Sequence, residues 1–416
     1  MRLLGGRAVT GDGTTVLENV LITITGSTIT SMTRVDRAGI QAAKRESDVV
    51  DLGDSTLLPG LFDLHAHFAP TRSENETSRQ LEPPELRLLR GAADCMPFLK
   101  AGFTTARCPG GTEATFLRDA IREGTLKGPD IYSAGRSISA TAGHGDRHHL
   151  PREWLDAPLL RSGEILADGV SQCRAAVRQQ IREGADFIKV YTAGGAASRL
   201  DDPRRAQYST EELLAIVEEA KRNEMKVAAH AGGAGITTAV EAGVDTIEHA
   251  YYCTREQAQL MAKHEVTYVP TALRVYVGVT EGPKVGATDW VIQRFNDAWP
   301  FTQKALRFAH EEGVKIALGS DFGHRAHTRH GSHNAKELQL LVEYGGLSEI
   351  EAIASATSIA ADAMGLGSRR GLLGPGKDAD IIAVKGNPLK DISLLESSVC
   401  FVMKGGEIVR NDMVVQ

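Results

Sequence analysis

Cysteine is scarce and dispersed in this chain. Cys95, Cys108, Cys173, Cys253 and Cys400 make an odd number, and no two form a C-x-x-C pair. That pattern argues against a disulfide framework and against a thiolate zinc site. Long apolar runs are missing too: none reaches the ~18 residues that a membrane-spanning helix needs. The opening stretch MRLLGGRAVTGDG lacks the apolar core of a signal peptide, so a reducing, cytoplasmic location is expected. Neither sign of charge dominates. A formal charge of -6 and a pI near 6.1 give no reason to expect nucleic acid or an anionic membrane as partner. There is no G-x-S-x-G for a serine nucleophile and no G-x-G-x-x-G after the first strand for a dinucleotide.

What is present is length, glycine and alternation. The 416 residues suffice for a barrel-sized domain plus an accessory one. The 43 glycines suit a fold with many tight loops at strand ends. Residues 1–57 read as short strands, with LITIT alternating at period two, and residues 371–416 read the same way. There, ADIIAV has the pattern of a buried strand, and VCFVMKGGEIVRN that of a hairpin around Gly405 and Gly406. Two β-rich ends around a different middle predict a small β-sandwich domain assembled from both termini, 1–57 plus 371–416.

The middle, 58–370, alternates strand and helix patterns. Strand candidates are GLFDLHAHF, FTTARCPG, DIYSAGRSIS, DFIKVYTAGG, KVAAHAGG, DTIEHAYY, TYVPTAL and KIALGSDFG. Between them lie amphipathic helices such as STEELLAIVEEAKRNEM, capped by Ser209 or Thr210, and GVSQCRAAVRQQIREGA, ending on a glycine. Eight such units predict an α/β fold of the (β/α)8, TIM-like barrel type.

Chemistry in such a barrel sits at the C-terminal ends of strands. Strand one ends in His65 and His67, two apart and so on one face. Strand four carries Lys189, strand five ends in His230, strand six in His249 and strand eight in Asp321, with small residues after them. Any one of these histidines could be a hydrogen-bonded core residue. At corresponding ends of several strands, together with a carboxylate, they read as ligands for divalent metal, with Zn²⁺ preferred and Mn²⁺, Co²⁺ or Fe²⁺ also suited. Lys189 inside DFIKVY is independently unusual, because burying an uncompensated ammonium is costly.

The ordered set H-x-H, Lys, His, His and Asp resembles the amidohydrolase superfamily in its binuclear form. GRSISATAGH, ADFIKVYTAGGAAS and VAAHAGG look closest to Xaa-Pro dipeptidase-like and Xaa-Arg/Lys carboxypeptidase-like members, a group that includes ochratoxin-hydrolysing amidases. The resemblance implies that His65, His67 and Asp321 bind the more buried of two metal ions, and His230 and His249 the more exposed. It implies a CO₂-derived carbamate on Lys189 bridging the ions. Hydroxide between them would attack an amide carbonyl, with Asp321 as general acid and base. Homo-oligomerisation is implied in the same way.

The expected activity is hydrolysis of an amide or peptide bond that releases a C-terminal amino acid from a dipeptide or an N-acyl amino acid, ochratoxin A included. The alternative is opening of a cyclic amide or lactone by the same machinery. A non-catalytic barrel is disfavoured, since all six metal-site positions are filled. His144, in TAGHGDRHH after strand three, is expected as a catalytic or substrate-binding residue near the carbonyl or a substrate carboxylate. His148 and His149 are weaker candidates. Tyr208 matches a tyrosine that contacts the α-carboxylate in similar enzymes, and Tyr191 shares a strand face with Lys189. In SDFGHRAHTRHGSH, His324, His327, His330 and His333 recur at spacing three. With Arg325 or Arg329, they read as a loop and helix start over the barrel mouth, facing an anionic substrate, rather than a second metal site. The segment from Val275 to Trp299 either covers the site or is a peripheral insertion or oligomer contact.

Overall fold

The computed structural model of the chain describes all residues except 72, 74–77, 79–80, 148–149, 152, 154–162, 197, 199, 326 and 414–416. Strands from both ends meet in one eight-stranded sheet. Arg2–Val9 pairs antiparallel with Val16–Thr25, which pairs in turn with Thr28–Arg34. Thr56–Pro59 joins Arg2–Val9 on one side and Ile381–Val384 on the other, so the two ends of the chain are stitched by main-chain hydrogen bonds. The hairpin anticipated around Gly405 and Gly406 is present, as Val399–Lys404 against Glu407–Asn411. Both glycines have positive φ, which a tight turn of this kind requires. One apolar cluster contains Leu3, Ile22 and Ile29 from the N-terminal strands together with Phe401 and Met403.

Between the ends the strands are parallel. Leu61–Asp63, Phe103–Cys108 and Asp130–Ser133 form a three-stranded sheet. Ile165–Leu166, Ile138–Ser139, Ile188–Tyr191, Val227–Gly232, Thr246–Tyr251 and Thr267–Val269 form a six-stranded one, in that order. Parallel bridges join Tyr268 to Ile316 and Ala66 to Phe322. Apart from Lys189, Tyr191, His230, Glu248, His249 and Tyr251, the strands Ile188–Tyr191, Val227–Gly232 and Thr246–Tyr251 are β-branched or small, and all of their residues but Tyr191 are buried, as in parallel strands covered by helices. Ser209 caps the helix Thr210–Arg222 through a capping box with Glu212, and Gly184, at φ +83°, follows the helix Gly169–Arg182.

Several expected strands differ. GLFDLHAHF is a strand only over Leu61–Asp63, so His65 and His67 lie beyond its end. DIYSAGRSIS divides into Asp130–Ser133 in the three-stranded sheet and Ile138–Ser139 in the six-stranded one. TYVPTAL is a strand only over Thr267–Val269; Thr271 turns at φ +52° and a helix, Ala272–Thr280, begins. In KIALGSDFG only Ile316 and Phe322 make bridges. The chain there passes so close to its neighbours that a Cβ on Gly319 would lie 2.4 Å from Val269 and 2.9 Å from His65. Asp321 then takes φ +55°, which breaks the pleat.

The helix Pro84–Lys100 carries the chain back from the first parallel strand, and Gly91 lets it approach Phe68. A Cβ at Gly91 would lie 2.2 Å from the Phe68 carbonyl oxygen, a backbone atom with little room to move. Gly91→Ala should therefore lower stability by about 1–3 kcal/mol, read as a reduced midpoint in denaturant unfolding.

Candidate metal and catalytic site

The strand ends converge on a cavity of about 710 Å³ lined by His65, His67, His144, Lys189, His230 and His249, with Asp321, His324 and Tyr191 also at its wall. Donor atoms of His65, His67 and Asp321 all lie within 4.8 Å of one another, an arrangement that suits a metal ion. His67 Nε2 is 3.3 Å and His65 Nε2 3.7 Å from Asp321 Oδ1. The rings of His65 and His249 stand 4.8 Å apart, those of His249 and His230 4.5 Å, and His144 stacks on His230 at 4.5 Å. The sequence-predicted residues on five strands thus share one space.

Four of the imidazoles are turned by partners outside the cavity. Glu248 Oε2 accepts from His65 Nδ1 at 2.6 Å, and Thr271 Oγ1 meets His249 Nδ1 at 2.6 Å, so both rings present Nε2. His230 is reversed: its Nε2 donates to the Gly194 carbonyl at 3.0 Å, leaving Nδ1. Such partners fix tautomer and ring plane. Asp201 does the same for His144, at 2.9 Å from Nδ1.

The electrostatics follow from burial. Burial, with the Lys189 charge adding to it, holds His65 down to about 4. Burial and neighbouring imidazoles keep His230 and His249 well below the usual histidine value. Burial thus favours the neutral form of these rings, the form in which an imidazole can bind metal. Burial opposes a charge on His67, but the Asp321 carboxylate and Cys108 outweigh it and lift that ring to about 9. Burial would raise Asp321, yet His324, His67 and His65 hold it well below the usual carboxylate range. Burial lowers Lys189 to about 8. Its Nζ has no hydrogen-bond partner among the described residues.

The other expected residues separate. Tyr191 lines the cavity beside His144, ring centroids 5.1 Å apart. His324 donates to Asp321 Oδ1 through Nε2 at 2.8 Å. Tyr208 is not among the cavity-lining residues: it is buried in the apolar core and its hydroxyl donates to the Ala167 carbonyl at 3.0 Å. Of the spaced histidines, His330 packs between Phe68 and Phe98 and bonds the His67 carbonyl, while His333 is exposed and paired with Glu396. His148 and His149 lie outside the described residues. The segment after strand seven forms the helices Ala272–Thr280 and Asp289–Glu311, which bring Arg274 and Phe295 to the cavity wall.

Sequence reasoning missed the supporting shell. Asp63 accepts from Ser320 Oγ and Asn334 Nδ2, and Glu248 binds Arg107 at 2.6 Å. Glu337 accepts from the amides of Ala272 and Leu273, just after Thr271. The available signal was a charged residue inside an apolar run, as in DTIEHAYY. Strand alternation hides it, because Glu248 and His249 should face opposite sides. His249 at φ +66° breaks that alternation.

Among known proteins, the amidohydrolase family matches residues 56–409. Ochratoxinase from Aspergillus niger is 37% identical over 378 residues, covering 85% of this chain and 75% of the relative. A crystal structure of a Xaa-Pro dipeptidase with bound methionine in the active site superposes with a TM-score of 0.88 at 34% identity, covering 99% of each chain. The crystal structure of A. niger ochratoxinase gives 0.86 at 33% identity, covering 100% of this chain and 96% of that one.

Two expectations follow from the geometry. Tyr208→Phe should cost about 1 kcal/mol by removing one hydrogen bond to the buried Ala167 carbonyl, with kcat/KM unchanged in a steady-state assay. Burial, reinforced by Asp63 and Asp321, pushes Glu337 up to about 8. A carboxyl raised on folding contributes stability that is complete below the unfolded-state value and is lost as pH rises through its folded value. The metal-free protein should therefore lose stability between pH ~4.5 and ~8, and Glu337→Gln should flatten that decline in unfolding curves taken across the range.

Proposed function

The chain belongs to the amidohydrolase family and is a hydrolase acting on amide bonds, and from that premise we propose that it releases a C-terminal amino acid from dipeptides or N-acyl amino acids. The observation that carries this is the convergence of His65, His67, Lys189, His230, His249 and Asp321 on one cavity. Support for the substrate class comes from the relatives, one named an ochratoxinase and one a Xaa-Pro dipeptidase. Ochratoxin A is accordingly a candidate substrate.

The donor set fits two divalent ions. His65, His67 and Asp321 would hold one, and His230 and His249 the other. Lys189, a buried amine with no hydrogen-bond partner among the described residues and a depressed proton affinity, would as a carbamate add a further anionic ligand. When bound, such ions supply an activated water and a Lewis acid for a carbonyl. The chain's own residues do the rest. Asp321, kept ionised by the imidazoles around it, takes a proton at its carboxylate and passes it to the departing amine. His324 holds Asp321 in place from one side. His144, oriented by Asp201, and Tyr191 line the same cavity, where His144 would bind the substrate carbonyl or a substrate carboxylate.

The same reading extends to architecture. We infer that the parallel strands close into a (β/α)8 barrel over 58–370, supported by the Tyr268–Ile316 and Ala66–Phe322 bridges. Residues 1–57 and 371–416 then form a β-sandwich domain, supported by their shared apolar cluster.

The test is metal-replete hydrolysis of a panel of Xaa-Pro, Xaa-Arg, Xaa-Phe and N-acyl-Phe compounds, ochratoxin A included. One class of C-terminal amino acid should be released, and Asp321→Asn and Lys189→Ala should each lower kcat by about 10²–10⁴-fold. Labelled bicarbonate should give a carbamate carbon resonance that Lys189→Ala lacks. A doubly metallated protein that cleaved no member would move cyclic amides and lactones to the front.

A further inference from the structure

The candidate metal-binding residues stand on two separate supports. One is a polar network buried between the end of the strand Leu61–Asp63 and the segment that carries Asp321. Asp63, Ser320 and Asn334 are fully buried in it, and His330 nearly so. Burying several polar groups together is costly unless each is hydrogen-bonded, and here each is. Asp63 Oδ1 accepts from the His65 amide at 3.1 Å and the Ser320 amide at 3.0 Å. Its Oδ2 accepts from Ser320 Oγ at 2.5 Å and from Asn334 Nδ2 at 3.0 Å. Asn334 Nδ2 also faces Ser320 Oγ at 3.0 Å and His330 Nδ1 at 3.2 Å. Asn334 Oδ1 accepts from the Gly331 amide at 3.1 Å, which fixes the way the side-chain amide points.

The network ends on the main chain around three candidate metal-binding residues. His330 accepts from Asn334 at Nδ1 and donates from Nε2 to the His67 carbonyl at 2.9 Å. Ser320 Oγ accepts from the Phe322 amide at 3.2 Å, so the network brackets Asp321 from both sides. The Asp321 amide in turn donates to the His65 carbonyl at 2.7 Å, and the His67 amide donates to the Phe322 carbonyl at 2.8 Å. Asp321 is held at φ +55°, a conformation that a non-glycine residue keeps only when its surroundings enforce it. Asn334 is the group common to all of these contacts. It reaches Asp63, which bonds the His65 amide; Ser320, which precedes Asp321; and His330, which bonds His67.

The other two imidazoles rest on different elements. His230 Nε2 donates to the Gly194 carbonyl at 3.0 Å, just after the strand Ile188–Tyr191. His249 Nδ1 meets Thr271 Oγ1 at 2.6 Å, at the start of the helix Ala272–Thr280. Neither contact uses Asp63, Ser320, Asn334 or His330. Glu248 crosses between the two groups, since it bonds His65 from the strand that carries His249. Outer partners of this kind orient metal ligands and set the affinity of the site they surround. We propose that Asn334 is a positioning residue for the ion that His65, His67 and Asp321 would hold, and that the two ion positions are tuned by separate supports: Asn334 with His330 for that ion, and Thr271 for the one at His230 and His249. The inference rests on the two-ion reading given above.

The experiment reloads the metal-stripped full chain with cadmium, followed as two NMR resonances, and with zinc, followed as two affinities in chelator competition. His67→Ala and His230→Ala assign each signal to its position. Asn334→Leu should weaken the ion that His67→Ala removes by about 10–100-fold and leave the other at its wild-type affinity. His330→Phe keeps a ring between Phe68 and Phe98 but loses the donor to His67, and it should weaken the same ion. Thr271→Val should weaken the ion that His230→Ala removes and spare the first. Far-ultraviolet dichroism of the metal-free variants should match that of the wild type; if Asn334→Leu does not fold, His330→Phe decides. Wild-type affinity at the His67 position in the folded variants of Asn334 and His330 would overturn the proposal. So would equal loss at both positions in any of the three variants. Either result leaves the two-ion reading standing, whereas a wild type that takes up fewer than two ions removes that reading and the proposal together.

Discussion

The buried carboxylate of Glu248 is the interaction on which the site depends. It is fully buried, and burial alone would protonate it. Arg107 and His65 reverse that and keep it ionised, with Thr246 supplying a further hydrogen bond. Through this one group three parallel strands are tied: Thr246–Tyr251, which carries Glu248; Phe103–Cys108, which carries Arg107; and Leu61–Asp63, which leads into His65. Arg107 also donates to the Leu64 carbonyl at 2.7 Å. Removing one member of such a network leaves a charge without its partner in the interior, at a cost of about 3–5 kcal/mol. The same contact sets the tautomer of His65, so strand packing and ligand geometry are one constraint.

A second constraint is the backbone at the strand ends. His249, Ala250, Thr271 and Asp321 all have positive φ, a conformation that costs non-glycine residues energy and that surrounding contacts must maintain. Each of these breaks the two-residue alternation of a strand. At His249 the break lets the carboxylate of one residue support a ring of the first strand while the next residue's ring faces the cavity. At Asp321 it brings the carboxylate within 3.3 Å of His67 and 2.8 Å of His324. Small neighbours make these bends possible: a Cβ at Gly323 would fall 1.8 Å from the His67 carbonyl oxygen.

These two constraints explain what could and could not be read from the chain. The candidate metal-binding residues were legible because they interrupt apolar runs at strand ends and recur in a fixed order, and the parallel strands and capped helices were legible from periodicity. Residues that depend on local contact were not. Glu248 was hidden by the alternation rule that His249 violates. Glu337 looked like one more acid on a helix, although it caps a different helix far away in sequence. Tyr208 illustrates the opposite case: its motif pointed to the substrate, while its hydroxyl is engaged by the Ala167 carbonyl in the core. The histidines at spacing three divided by role because a loop imposes no common face, so His324 reaches Asp321 while His330 supports the backbone of His67.

The helix that follows strand seven joins these observations. Its first turn is anchored by Glu337, holds His249 through Thr271 and carries Arg274 to the cavity wall. A displacement of that turn would change ring orientation and the placement of the positive charge together. Glu337 sits where it can feel the charge of Asp63 and Asp321, and its own charge state in turn acts on the turn it clamps. Cations bound among the histidines would lower the cost of ionising Glu337 and strengthen its hold on the two amides, because a carboxylate accepts more strongly than a carboxylic acid. Metal loading and the rigidity of the Arg274 helix are thereby expected to rise together, through a residue that touches neither ligand nor substrate.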